Sequence, residues 1–358
     1  MKSTLKLFSY AALLLPGVVA AASFNYQLVG KGFNVPWGLA FLDKSTLIVS
    51  ERNGGIQKLN LETGNISPQP VVKDIYARGQ GGLMDVAVHG DHVYLTYSKS
   101  TPQGSVTALA RSKILQGSLS KWEDIFISDS ASDTTRHFGS RVAFDGKDHL
   151  FLSIGDRGER SNGQNTSNHA GSILRLNLDG SVPDDNPFTD KPTVRDEIWS
   201  FGHRNPQGLF YDAESGNLWS IEHGPRGGDE VNLILEGANY GWPLTSHGKE
   251  YWGPIDVADY QEKDGIESPK KVYIPSIAPS NILLYRGERY PSLKGKLVAG
   301  ALKLAHLNAL TLDEGNNIVD EQRIAEELGE RIRDVEISPD GYIYFSTDRG
   351  NIYRLLEG

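Results

Sequence analysis

The 358-residue chain has no cysteine. That excludes disulfides, thiolate metal sites, a cysteine nucleophile and a lipid-bearing cysteine, so stability must come from the core or from bound metal. Positive charge is scarce as well: 36 Lys and Arg stand against 45 Asp and Glu, a formal charge of −9. Nucleic acid and anionic lipid are therefore disfavoured as partners, and any basic cluster needs its own explanation. Long apolar runs are also missing. The nearest candidate, from Leu7 to Leu15, is too short to span a bilayer and runs into Pro16 and Gly17, which argues against membrane insertion.

That short run has a different use. Lys2 and Lys6 precede it and Ala20, Ala21 and Ala22 follow, the charged start, apolar middle and small-residue end of an export signal. Residues 1–22 are expected to be removed near Ala22, leaving 23–358 as a single periplasmic domain. Losing two lysines takes the formal charge from −9 to −11.

With 39% hydrophobic residues, the remainder can bury a large core. It is built from a recurring unit of alternating strand, Gly or Asp turn, second strand ending in a small or acidic residue, and third strand. Copies begin at Trp37, Leu83, Ser140, Gln207, Ser280 and Ile332. Period-2 alternation with frequent turn residues means antiparallel β-structure, and six copies predict an all-β, six-bladed propeller of four-stranded blades. The last copy lacks a strand, whereas "FNYQLVGKG" from Phe24 is a strand without a copy. Pairing the two closes the ring and removes exposed edges. A pair of β-sandwiches is the alternative.

In a propeller, loops from corresponding strand ends gather around one mouth of the axis. Basic residues recur in such loops: Arg204, with Asn205, in "FGHRNPQG", Lys303 in "AGALKLAH", Arg331 and Arg333 in "GERIRDVE". Arg331 and Arg333, two apart on an extended segment, project to one side. Either an anionic ligand lies between them or each pairs with a local acid such as Glu330 or Asp334. His137 in "TTRHFGSR" is suited to take a proton near neutral pH, or serves the structure. Gln80, among glycines in "GQGGLMD", can approach a ligand closely.

The stretch "EHGPRGGDEVN", Glu222 to Asn232, combines acids with glycines and proline and has no helical repeat. Calcium takes six to eight hard oxygens from such irregular loops. Gly224 and Pro225 offer carbonyls and Asp229 and Glu230 carboxylates; a plain acidic turn is the other reading. The loop "LDGSVPDDNPF" from Leu178 is calcium-compatible but reads better as a solvated turn.

The strings "HFGSR", "SIGDRG", "FGHRNPQG", "EHGPRGGDEVN", "ANYGWP", "SIAPS" and "ERIRDV", in this order, resemble the soluble pyrroloquinoline quinone (PQQ)-dependent glucose/sorbosone dehydrogenases, and among them the periplasmic aldose sugar dehydrogenases. The resemblance runs from about Val35 to Arg354. It implies a tricarboxylate quinone at the channel mouth, contacted by Gln80, Arg204, Asn205, Lys303, Arg331 and Arg333. It implies a calcium ion on the carbonyls of Gly224 and Pro225, and a further, structural calcium on Glu230 and Tyr240. It makes His137 the catalytic base, oriented by Asp156, with Arg204 stabilising negative charge on the quinone oxygen.

The implied reaction takes hydride from C1 of an aldose to calcium-bound PQQ and gives the lactone. The substrate is an aldose, the electron acceptor is unknown, and the chain acts as a monomer or homodimer. Arg136 stands where the glucose-active branch presents an acid, which leaves the preferred aldose open. Two rivals share the scaffold: a calcium-dependent propeller lactonase, which needs carboxylates and asparagines converging on the axis, and a non-enzymatic binding propeller.

Overall fold

A computed structural model describes residues 23–358; the proposed export segment lies outside the described residues. Six antiparallel sheets stand around one axis. Blade 1 comprises Pro36–Asp43, Thr46–Glu51, Ile56–Asn60 and Ile66–Pro68, and blade 2 has Leu83–His89, His92–Thr101, Gly104–Leu115 and Glu123–Ile127. Blade 3 has Val142–Phe144, His149–Ile154, Ser172–Asn177 and Ile198–Phe201, and blade 4 has Pro206–Asp212, Asn217–Glu222, Asp229–Ile234 and Lys271–Tyr273. Blade 5 has Pro279–Leu284, Lys296–Ala301, Leu307–Leu312 and Ile318–Ile324. Blade 6 takes Ile332–Ile337, Ile343–Thr347 and Asn351–Glu357 from the C-terminus and Phe24–Lys31 from the N-terminus.

The predicted closure is present: Phe24 pairs with Glu357 and Lys31 with Asn351, antiparallel. The β-sandwich alternative falls with it. No helix among the described residues is long and apolar enough to cross a membrane.

The strands form where alternation dictates, but the middle strands are apolar on both faces because each blade is covered on both sides. Thr46–Glu51 reads TLIVSE and is buried almost throughout. Apolar clusters fill the gaps between blades: Ile48, Leu83 and Leu95 between blades 1 and 2, Leu150, Leu109 and Val142 between 2 and 3, Leu39, Val49 and Ile352 across the closing junction. Each fully buried aliphatic side chain contributes about 1.5–3 kcal/mol.

The first strands of the blades line the axis and touch their neighbours in turn. Arg141, at 1% exposure, lies among them. Its guanidinium pairs with Asp85 of blade 2 at 2.7 Å and Asp334 of blade 6 at 2.9 Å. It donates to the carbonyls of Gln207 (2.8 Å) and Ser280 (3.4 Å) in blades 4 and 5, and stacks 4.3 Å from the Trp37 ring of blade 1. A charge this deeply buried is tolerable only with such a set of partners.

Candidate active site

One rule of the fold positions the site. The second strands of blades 1, 3, 4 and 6 end in an acid or are followed by one within two residues: Glu51, Asp156, Glu222 and Asp348. Each reaches back to the loop entering the first strand of its own blade. Glu51 accepts from the Asn34 amide at 2.6 Å. Asp156 accepts from His137 Nδ1 at 2.6 Å. Glu222 accepts from His203 Nδ1 at 3.0 Å and the Arg204 amide at 2.8 Å. Asp348 accepts from Arg331 Nε at 2.8 Å and Arg333 Nε at 2.9 Å.

The His137 dyad is held from several sides. Oδ1 of Asp156 also accepts from the Gly158 amide (2.7 Å) and Oδ2 from the Trp242 indole (2.8 Å). A carboxylate accepts only, so His137 Nδ1 carries its hydrogen and Nε2 is the atom left to take a proton. The His137 backbone is left-handed, φ 54°, and its amide donates to Gln80 Oε1 at 2.7 Å. Burial, joined by the Arg204 and Arg136 charges and opposed by Asp156, holds the imidazole below its ordinary value. It is thus neutral near pH 7 and able to accept.

Above Arg141 lies a cavity of about 150 Å³ lined by Gln80, Asn205, Arg331 and Arg333, with Trp37 and Phe138 among its apolar walls. Gln80 turns its oxygen to His137, which leaves its NH₂ for another partner. Asn205 Oδ1 accepts from the Gly139 amide at 3.2 Å. Glu330 and Asp334 do not neutralise the two arginines as the local-pairing reading had it. Asp334 serves Arg141, and Glu330 bonds Thr347 (2.6 Å) and Asn351. Arg331 and Arg333 share the single carboxylate of Asp348, so one positive charge is left over; burial would raise Asp348, but the two guanidiniums hold it below its ordinary value. Lys303 is exposed and does not line this cavity; Arg52, from the turn after Glu51, does.

Beside it is a narrow crevice of about 10 Å³, room for one water-sized particle, lined by Gly224, Pro225, Glu230 and Tyr240 together with Arg204, Glu222 and Trp242. All four residues named for calcium therefore face one space. The Gly224 carbonyl accepts from Arg204 Nη1 at 2.8 Å and that of Pro225 from Ser276 at 3.2 Å. Tyr240 uses its phenol on Leu233 (2.6 Å) and Leu235 (2.8 Å), which leaves the carbonyl as the oxygen it could offer. Asp229 turns instead to the amides of Gly224 (3.0 Å) and Ala278 (2.8 Å), tying two loops.

Glu230 has only a 3.4 Å contact to Asn232 Nδ2, and the buried Asn232 Oδ1 has no hydrogen-bond partner. Burial and the neighbouring Glu222 carboxylate push Glu230 well above its ordinary value. An underpartnered carboxylate, an unpaired amide oxygen and nearby carbonyls are a donor set suited to a hard cation. The Leu178 loop is otherwise: Asp179 caps Ser181 at 3.0 Å and Asp185 pairs with Arg175 at 2.6 Å.

A second cavity on the axis, about 380 Å³, opens at the opposite end among Val88, Phe144, Tyr211 and Ile337. It holds none of the residues named for catalysis, cofactor or metal. Three residues of the site were not named from the sequence. Asp348 could have been found, because "STDRG" repeats the strand-end acid of "SIGDRG". Trp242 and Arg52 reach the site only through the ring.

Comparison with known proteins gives the family. The Glucose / Sorbosone dehydrogenase profile matches residues 33–354. The chain belongs to this family. It is 36% identical over 342 residues to aldose sugar dehydrogenase YliI of Escherichia coli K12, covering 93% of this chain and 92% of that protein. Quinoprotein glucose dehydrogenase B of Acinetobacter calcoaceticus is 26% identical over 421 residues, covering 93% and 87%. The PQQ-bound structure of aldose sugar dehydrogenase from Streptomyces coelicolor superposes with a TM-score of 0.78 at 26% identity, covering 95% of this chain and 99% of that one. As a member of this family the protein is an oxidoreductase of the sugar dehydrogenase type.

Proposed function

We propose that the protein is a PQQ- and calcium-dependent aldose dehydrogenase, exported by residues 1–22, that oxidises an aldose at C1 to the lactone. The observation that carries this reading is the neutral His137–Asp156 dyad beside a cavity with surplus positive charge in an acidic protein. PQQ, a tricarboxylate, suits that charge, and the relatives named for quinone chemistry support it; when bound with calcium it would supply the hydride acceptor.

The chain's own residues do the rest. His137 Nε2 takes the proton of the anomeric hydroxyl, and Asp156 stabilises the imidazolium that forms. Arg204, Arg331 and Arg333 hold anionic groups, with Arg204 placed to stabilise charge developing on an oxygen. Gln80 and Asn205 offer directional amide contacts. Gly224, Pro225, Glu230 and Tyr240 would hold calcium, and Lys303 at the rim adds long-range attraction. The lactonase reading needs metal-binding carboxylates and asparagines converging on the axis, and the acids that meet there, Asp85 and Asp334, pair with Arg141 instead.

Reconstitution tests the proposal. Metal-free protein is assayed for dye reduction by several aldoses with and without calcium and PQQ. Reduction that needs both additions is the expected result; no PQQ binding at saturating calcium would overturn it.

A further inference from the structure

The chain has six tryptophans. Trp37, Trp122, Trp219 and Trp242 are buried and Trp199 is half-buried. Trp252 is 74% exposed and its neighbour Tyr251 66% exposed. Aromatic side chains bury about 150–250 Å² each and are the largest contributors to cores and interfaces. An indole held out in water runs against that drive.

The segment that carries it is anchored. Both oxygens of Glu250 receive Arg160 nitrogens, at 2.8 and 2.9 Å. Lys249 and Arg226 exchange two backbone hydrogen bonds, at 3.0 and 3.2 Å, and the Glu250 amide donates to the Ile255 carbonyl at 2.8 Å, closing the turn that presents Tyr251 and Trp252. Arg160 lies just past Asp156, so the finger is fastened to the loop that follows the catalytic acid. On its inner side the Tyr251 hydroxyl is 3.5 Å from Arg204 Nη2, at the mouth of the crevice.

We propose that Tyr251 and Trp252 form a sugar-stacking platform at the entrance of the active site and set its preference among aldoses. This rests on the sugar-dehydrogenase reading. A pyranose presents C–H groups on a face and hydroxyls around its edge, so it can lie on an aromatic plane while its hydroxyls stay in water. A rigid, exposed aromatic pair leading to Arg204 meets that need. A protein partner is less well matched, since stable docking buries roughly 1,200–2,000 Å² and this finger offers a tip of a few residues.

The test uses Trp252→Ala, Trp252→Phe and Tyr251→Ala in the reconstituted protein. Trp252→Ala should raise the KM for aldoses about tenfold, the worth of roughly one stacking contact, with kcat changed less than about twofold, and Trp252→Phe should recover most of the loss. Unchanged KM in both alanine variants would overturn the platform, as would a defect seen only with a protein electron acceptor. A second readout is independent of turnover: the fluorescence of PQQ-free wild-type protein titrated with a methyl glycoside, which has no free anomeric hydroxyl. Quenching that is lost in Trp252→Phe supports the platform even if no aldose is oxidised; absence of quenching in the wild type overturns it.

Discussion

Replacing Asp156 by Asn probes the dyad most directly. The carboxylate uses both oxygens, Oδ1 toward His137 and the Gly158 amide and Oδ2 toward the Trp242 indole. An amide cannot serve all three. With its oxygen toward His137, its NH₂ meets the Trp242 N–H; turned over, its NH₂ meets the Gly158 N–H and donates to Nδ1, which imposes the wrong tautomer. Either orientation also removes the charge that stabilises the imidazolium. At an effective dielectric of ~20 and ~4 Å that attraction is about 4 kcal/mol, which corresponds to about three decades of rate. We expect kcat in the dye assay of reconstituted Asp156→Asn to fall about a thousandfold with PQQ still bound. Adding Trp242→Phe removes the opposing N–H, so the double variant should recover part of the loss, with a coupling of about 0.5–3 kcal/mol. Activity within tenfold of wild type in the single variant, or strictly additive losses in the double, would refute the reasoning.

Further outcomes follow from the same geometry. His137 is held below its ordinary value of 6.5, so the neutral, active form persists to lower pH and the acid limb of kcat/KM should fall below 6.5; a limb above that value contradicts it. Glu230 is protonated more readily than an ordinary glutamate, so calcium binding near pH 7 should release a proton, seen as dye acidification in weak buffer, and Glu230→Gln should abolish that release. Calcium should also raise the melting temperature of the wild type more than that of Glu230→Gln. A methyl group on Gly155 would sit 2.4 Å from the His137 carbonyl. Gly155→Ala should therefore cost about 1–3 kcal/mol of stability and most of the activity, measured by thermal melts and dye assay.

The recurring strand–turn–strand unit made the blades legible, although middle strands such as Thr46–Glu51 are buried on both faces and do not alternate. The missing strand of the last copy made ring closure legible too. His137 and the arginines stood out by residue type, and Asp156 by resemblance. What remained hidden depends on distance through the ring. Trp242 is 86 positions from the acid it serves, and nothing local to Arg331 announces that Asp348, rather than Glu330, is its counter-ion. Lys303, named among the cofactor contacts, is exposed and does not line the cavity, whereas the preceding Leu302 does.

Arg141 has a consequence for how the blades are counted. Its contacts come from Trp37, Asp85, Gln207, Ser280 and, in blade 6, Asp334 and the Arg333 carbonyl, so every blade other than its own supplies at least one. A guanidinium has a fixed span and five hydrogens, so it acts as a gauge at the hub. A ring assembled with one blade too few or too many would carry at least one of these partners out of reach, and where that partner is Asp85 or Asp334 the ion pair is broken in the interior, at a cost of about 3–5 kcal/mol. The axle thereby selects the number of spokes.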